Sequence, residues 1–231
     1  MSLFAICFYF RFKALPSERT MEEKMGLLDA ASSPRRATLD DAVNLSKLFA
    51  SAFMDDPLFD YMVRPGARRT AALEMFFHEI LRARDIPQGE VWMSSDGHAC
   101  VCWLKPDARR SPGGLVRKLS WLPFFVRVYS LARLTRGMTM MEVMEKNHPR
   151  EQHFYLTFIA VSPQYRGVGL GSRILKATLK QIDAAGMAAY VESSNPKNAT
   201  FYERAGFVAR KNIAPVGAPP LIAMWRDART K

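Results

Sequence analysis

The sequence predicts an α+β (α/β) domain with a single central sheet flanked by helices. Three observations carry that expectation. Runs rich in aromatic and β-branched residues alternate with segments of helical periodicity, and no internal repeat interrupts them. A strand at 153–161 passes through a glycine-rich turn directly into a helix. Of the 231 residues, 48% are hydrophobic, enough for a sizeable core without disulfides or a structural metal.

Residues 1–34 are expected to form a disordered or mobile N-terminal tail, with the folded domain at 35–231. The apolar run in the first ten residues has no basic stretch before it and is far shorter than the ~20 residues of a spanning helix. No convincing small-residue cleavage site follows it. An upstream start, with Met21 or Met25 the useful one, is an alternative reading.

Thr38 with Asp41 resembles a capping box, with Asp in place of the usual Glu. Leu45, Leu48, Phe49, Ala52 and Phe53 follow at helical spacing, which predicts a helix over 39–53 that Asp55-Asp56-Pro57 ends. A short amphipathic stretch at 58–63 stops at Pro65. Residues 67–84 form another helix, with Leu73, Phe76, Phe77 and Ile80 on one side. Strands near 90–94 and 98–104 are joined by the turn formers Ser95-Asp96-Gly97.

Residues 107–148, dense in aromatics, Leu and Met and laced with Arg and Lys, read as a helical insertion. Trp121, Phe124, Phe125, Tyr129 and the methionines either wall a pocket or complete the core under a cap. Beyond the strand at 153–161 come a helix at 168–185 stopped by Gly186, a strand at 188–193, and a helix at 196–205 closed by Gly206. Two final strands at about 207–213 and 220–226 flank a Pro/Gly-rich turn.

The net charge of +11 suits nucleic acid, an anionic membrane, a phosphorylated small molecule or simply a basic solvated surface. No nucleic-acid recognition motif and no stable membrane span accompany it. The three cysteines cannot all pair with one another. Cys100 and Cys102 fall on one face of a strand with no second Cys/His cluster nearby. Buried, reduced thiols in a cytoplasmic protein are therefore expected, and no metal.

Chemistry concentrates in two blocks. In the first, Ser162-Pro163-Gln164-Tyr165-Arg166-Gly167-Val168-Gly169-Leu170-Gly171-Ser172, Pro163 stops the strand and three alternating glycines lead into a helix. Without Cβ atoms Gly167, Gly169 and Gly171 let a ligand approach the main chain, and the first N–H groups of the helix point outward at the positive end of its dipole. The arrangement suits a diphosphate, with Arg166 adding charge. The spacing departs from a G-x-G-x-x-G dinucleotide site, and Gly171-Ser172-Arg173 departs from a Gly-Lys-Ser/Thr loop. In the second block Asn195 is an N-cap, Pro196 takes the first helical position, and Asn198 and Tyr202 stand at i and i+4 on one face.

Gln164-Tyr165-Arg166-Gly167-Val168-Gly169 resembles the acetyl-CoA-binding signature Q/R-x-x-G-x-G/A of the GNAT superfamily. The second block resembles the N-x-x-x-x-Y-x-x-x-G-F pattern that follows it in many members. Tyr190-Val191-Glu192-Ser193-Ser194 and residues 153–156 are similar to the puromycin-acetyltransferase-like branch. Clear resemblance covers about 153–226.

It implies the GNAT fold, a mixed sheet of about six to seven strands flanked by helices, in an acyltransferase that moves acetyl from acetyl-CoA to a primary amine. A small-molecule acceptor is the main expectation. A protein acetyltransferase acting on Lys or N-terminal amines, or a non-catalytic acyl-CoA-binding regulatory module, are the alternatives. Acetyl-CoA and a small amine are thus the expected partners, and a homodimer is left open.

The donor-binding set implied is Ala160, Val161, Gln164, Arg166, Gly167, Val168, Gly169, Leu170, Gly171, Ser172, Asn198 and Tyr202. Asn198 would contact the pantetheine arm. Main-chain N–H groups near Ala160 and Val161 would receive the carbonyl oxygen, and Tyr202 would protonate the leaving sulfur. A phenol near ~10 giving its proton to a thiolate near ~8.5 is uphill by roughly 2 kcal/mol, so Tyr202 fits a relay better than an isolated acid. Glu192 is the first candidate for removing the amine's proton, with His153 and Tyr155 as alternates.

Overall fold

The computed structural model describes residues 20–108 and 121–229. The expected tail residues 1–19, and 109–120 of the insertion, lie outside the described residues. Within the described part of 1–34 the expectation of a tail is corrected, because Met21–Ser32 forms helix α1. Thr20 Oγ1 accepts from the Glu23 N–H at 3.2 Å, Glu22 and Glu23 complement the first turn, and Leu27 and Ala31, one turn apart, are buried.

After strand β1 (Arg35–Arg36) the Thr38/Asp41 capping box forms, and helix α2 (Ala42–Ala52) follows a short 3-10 turn. Asp56 caps the next helix, α3 (Pro57–Met62), by accepting from the Leu58 and Phe59 N–H groups at 3.0 and 3.1 Å. Helix α4 (Arg69–Ile80) runs past its expected end. It passes through a π-helical turn, Leu81–Asp85, into a last helical turn, Ile86–Gln88. Pro87 has no N–H to give, and the Ile86 N–H reaches back five residues to Leu81 O.

Strands β2 (Gly89–Met93) and β3 (Ala99–Leu104) form the expected hairpin. The described part of the insertion holds helices α5 (Leu122–Tyr129) and α6 (Leu134–Asn147). Gly137 lets α6 close onto α5, since a Cβ there would meet the Tyr129 ring at 2.5 Å. Arg64 donates to Val126 O and Arg133 to Val63 O, tying these helices to the end of α3.

Next come strand β4 (His153–Val161), helix α7 (Leu170–Ala184), strand β5 (Ala188–Ser193), helix α8 (Ala199–Arg204) after a 3-10 turn, and strands β6 (Val208–Asn212) and β7 (Ile222–Arg226). They complete a seven-stranded sheet in the order β1-β2-β3-β4-β5-β7-β6. Only β4 and β5 pair in parallel; the other neighbours are antiparallel.

Strand alternation gives each face its own core. Cys100 and Cys102 face α2, α3, α4 and α5, while Ala99, Val101 and Trp103 face α1 and α7. Both thiols are free and buried. On the second face Arg226, almost fully buried, clamps Asp183 of α7 with two hydrogen bonds of 2.5 and 2.8 Å and donates to Ala205 O.

The parallel pair sets the site. Its register runs from His153↔Ala188 to Leu156↔Val191 and stops there. Beyond it, 157–161 of β4 keep β3 on one side and have no strand on the other. Thr157 is skipped in the β3 register, between Leu156↔Trp103 and Phe158↔Cys102. A bulge bends its strand, and this one stands where β4 turns away from β5.

Candidate active site

A cavity of about 1400 Å³ occupies the gap between the diverging strands. At one end it is lined by Arg166, Gly167, Gly169, Leu170, Gly171 and Ser172 at the start of α7. Its middle is walled by Ala160 and Val161 of β4, Val191 and Glu192 of β5, and Asn198 and Tyr202 around α8. It widens into a chamber between α3, α4 and the insertion, where Phe59, Phe76, Trp121, Phe125, Tyr129 and Met144 face it. Tyr129 and Met140 also lie in the core, so the insertion both walls the chamber and completes the packing; Phe124 packs against that core without lining the chamber.

The turn into α7 is built as a bare main-chain cradle. Gly167 and Gly169 have φ of +83° and +105°, values that L side chains rarely adopt. A Cβ on Gly167 would meet nothing within 4 Å, so the space over it is open. Gly171 is different: it lies in the first turn of α7 without a positive φ, and a Cβ would stand 3.5 Å from Val161 and 3.6 Å from Phe201. The N–H groups of the first turn of α7, which have no intrahelical partner, lie at this end of the cavity between glycines that carry no side chain. This suits a diphosphate.

Two residues of the expected donor set lie elsewhere. Gln164 is exposed and Val168 packs against the second core, and neither lines the cavity. Both precede the helix, and Gln164 lies within the 3-10 turn Pro163–Tyr165. Arg166 lines the cavity, but its guanidinium donates to Ala52 O at 2.7 Å, strapping the turn to the end of α2.

Asn195 caps the turn before α8 by accepting from the Lys197 N–H at 3.0 Å, which leaves Asn198 exposed on the cavity wall. Tyr202 is held by Phe201 and Phe207, with ring centroids 5.0 and 6.0 Å away. Its hydroxyl has no hydrogen-bond partner among the described residues, and the residue lines the cavity. Burial, and then the nearby Asp56 charge, raise its pKa, so the phenol keeps its proton at neutral pH.

Glu192 is held by two phenols rather than by an arginine. Tyr155 donates to Oε2 at 2.7 Å and Tyr190 to Oε1 at 3.0 Å. Burial, and then Glu192, push the Tyr155 pKa well up, which makes Tyr155 a donor and not a base. His153 is fully buried and does not line the cavity. Its Nδ1 contacts Glu151 O at 2.6 Å and its Nε2 meets His148 Nε2 at 2.9 Å, so this pair lies behind the site.

Asp56 is the carboxylate that sequence reasoning passed over. It was legible as a helix signal, an Asp before Pro, but not as a wall of the site. Its Oδ1 serves the two capping N–H groups, and its Oδ2 accepts from Ser194 at the end of β5 at 2.6 Å. Burial raises its pKa against the opposing pull of Ser194, the capping N–H groups and Arg69. Arg84 and Asp85 were likewise unmarked. The π-helical turn presents Asp85, fully buried, to Thr157 Oγ1 at 3.1 Å, and Arg84 Nε donates to Asp85 at 2.5 Å. Burial opposes the Arg84 charge, but Asp85 more than offsets it and the guanidinium pKa is raised.

Among the described residues no group of His, Cys, Asp and Glu could hold a metal ion, and no helix is long and apolar enough to cross a membrane.

Residues 132–207 match the acetyltransferase (GNAT) family. Among solved structures, the chain is similar to a histone acetyltransferase HPA2 and related acetyltransferase from Corynebacterium glutamicum. That likeness has a TM-score of 0.66 and 24% identity over 86% of this chain and 98% of that one. The C-terminal condensation domain of Ebony, in complex with beta-alanyl-dopamine, gives a TM-score of 0.59 and 9% identity over 84% and 97%. Arylalkylamine N-acetyltransferase 2 from Aedes aegypti gives 0.55 and 12% over 85% and 99%. At these identities the likenesses establish the fold alone. The chain has the GNAT fold, and that fold together with the match over 132–207 supports a GNAT-superfamily acetyltransferase.

Proposed function

We propose that the protein transfers the acetyl group of acetyl-CoA to the primary amine of a small-molecule acceptor. The observation that carries this reading is the continuity of one cavity from the glycine turn, past Tyr202, to an aromatic chamber. When bound, acetyl-CoA would supply an acetyl thioester. Gly167, Gly169, Gly171 and Ser172 would hold its diphosphate on the first N–H groups of α7. Asn198 would meet the pantetheine arm, and the main-chain N–H groups around Ala160 and Val161, unpaired by β5, would orient the thioester carbonyl.

Tyr202 holds a proton at its hydroxyl, facing the place of the sulfur. Its raised pKa makes it a poor isolated acid, so its proton is replaced by the one the amine releases. An ammonium acceptor loses a second proton, before it attacks, and either of two carboxylates can take it. Glu192 is kept in place by its two phenols and suits binding the ammonium group. Asp56 is the better base, since its raised pKa and its electrostatic link to Tyr202 put both proton-handling groups together. The similarity of Tyr190, Glu192 and His153 to the puromycin-acetyltransferase-like branch belongs to this reading, as does a cytoplasmic location, which the free thiols of Cys100 and Cys102 favour.

The chamber walled by Trp121, Phe125 and Tyr129 favours a small acceptor over a peptide. The test is a library of amines and peptides with CoA release as the readout, alongside thermal shift with acetyl-CoA. Acetyl-CoA should raise Tm and Gly169→Asp should abolish the shift. An unshifted wild-type protein would remove the donor reading, and turnover on peptides alone would replace the acceptor reading.

A further inference from the structure

Phe59, Phe76, Trp121 and Phe125 line the chamber, and Arg84 stands in the same wall. Its Nε is taken by Asp85 at 2.5 Å, and this is the one hydrogen bond of its guanidinium among the described residues. The two terminal NH2 groups, four N–H bonds in a planar fork, have no protein acceptor there. Asp85 does not need them: fully buried, it already takes Arg84 Nε on Oδ1 and lies within reach of Thr157 Oγ1 on Oδ2.

A guanidinium kept only to neutralise Asp85 would be expected to face it with both arms, as Arg226 faces Asp183. Arg84 instead turns one edge to Asp85, and the residue faces the cavity. The side chain keeps 20% of its surface exposed and the residue lines the cavity, so the fork is open to an anionic ligand there.

The fork stands near the Tyr155–Glu192 pair, because Arg84 is bonded to Asp85 and Asp85 lies 3.1 Å from Thr157, two residues along the strand from Tyr155. That phenol donates to Glu192 at 2.7 Å and also feels the Arg84 charge. One cavity wall therefore carries the carboxylates Glu192 and Asp56 together with the guanidinium of Arg84, whose partner Asp85 lies against Thr157 of the same strand as Tyr155. Lys105 and Asp107 also border this region, with Lys105 paired to Glu90 at 3.2 Å.

We infer that the acceptor is an amine that also carries a carboxylate, with its ammonium group toward Glu192 and Asp56 and its carboxylate on the terminal nitrogens of Arg84. The aromatic walls of the chamber suit an apolar side chain, as in an aromatic or branched amino acid. The inference rests on the acetyl-transfer reading for the amine end only.

The test uses matched pairs that differ by the carboxylate: phenylalanine against phenethylamine, tyrosine against tyramine, and the acetylated products of each. With wild-type protein the acid should be preferred in kcat/KM by on the order of 100-fold, the scale of a charged hydrogen-bonded pair. Product binding is read separately by thermal shift of CoA-saturated protein, which needs no turnover.

Arg84→Gln should bring both preferences close to unity. Since it strands Asp85, the double variant Arg84→Gln with Asp85→Asn keeps an amide pair there, and its own stabilisation by acetyl-CoA checks that it folds. A merely structural role for Arg84 would lower both members of each pair alike and leave their ratio unchanged, which overturns the inference. Equal binding of acid and neutral partner to wild type, or no binding of either, overturns it too. If no amine is turned over but the acids still bind and lose that binding in the variants, the transfer reading fails and the carboxylate site stands.

Discussion

Gly169 and Gly171, two residues apart, should respond to alanine in opposite ways. Gly169 has φ +105° and a methyl there would come within 3.6 Å of Leu28 on α1. The contact is ordinary, so the cost is conformational, about 1–3 kcal/mol for an L-residue in a sparsely populated region. For a chain of this size 1 kcal/mol corresponds to roughly 2–4 °C, which places the fall in Tm at about 2–12 °C. Gly171 has no such φ, and its methyl would meet Val161 and Phe201 at 3.5–3.7 Å without overlap.

Inside the first turn of α7, alanine in place of Gly171 should raise stability by up to about 1 kcal/mol. The same methyl stands across the passage between the end of β4 and α8, so acetyl-CoA should lose affinity while the unliganded protein melts higher. Thermal melts with and without acetyl-CoA, and calorimetric titration, read both effects. A Gly171→Ala protein that binds acetyl-CoA as wild type does would refute the route assigned to the donor. An undiminished Tm in Gly169→Ala would refute the strain argument.

Tyr202→Phe removes only the hydroxyl, so turnover should fall by about 100-fold or more while acetyl-CoA binding, by thermal shift, is nearly kept. Asp56→Asn keeps a capping side chain but no base. Wild-type kcat/KM should fall as pH drops through a value above the ordinary ~3.9 of Asp, and the variant should lose that limb. Because the folded state holds this proton more tightly than the unfolded chain, the contribution of Asp56 to stability declines as pH rises through the same window. Arg226→Met strips Asp183 and Ala205 O of their donor, and with Asp183 partly solvated a loss of about 2–3 kcal/mol is expected in chemical denaturation.

Local chemistry made much of the site legible. Asn195 and Pro196 announce a helix start, and the alternate glycines announce a bare turn, because those residue types have few other uses at such positions. The chamber was less legible, since the burial of Asp56 and the aim of Arg84 depend on segments distant in the chain. Asp56 reaches Ser194 across 138 positions. The π-helical turn that presents Arg84 follows from Pro87 and tertiary packing, not from any periodicity. Helix α1 was hidden for another reason: Leu27 and Ala31 are too few to mark a helix until α7 is there to cover them.

The early end of the β4–β5 pairing has a consequence for how the two substrates meet. A sheet ordinarily seals one layer of a protein from the other, but here it opens like a doorway with a layer on either side. The glycine turn belongs to the layer of α1 and α7, and the aromatic chamber to the layer of α2 to α6. Donor and acceptor would thus have separate entrances, and neither need leave for the other to arrive. Substitutions would sort themselves by layer as well. Those in 121–148 would retune which acceptor is taken, and those around α7 would change the hold on the donor.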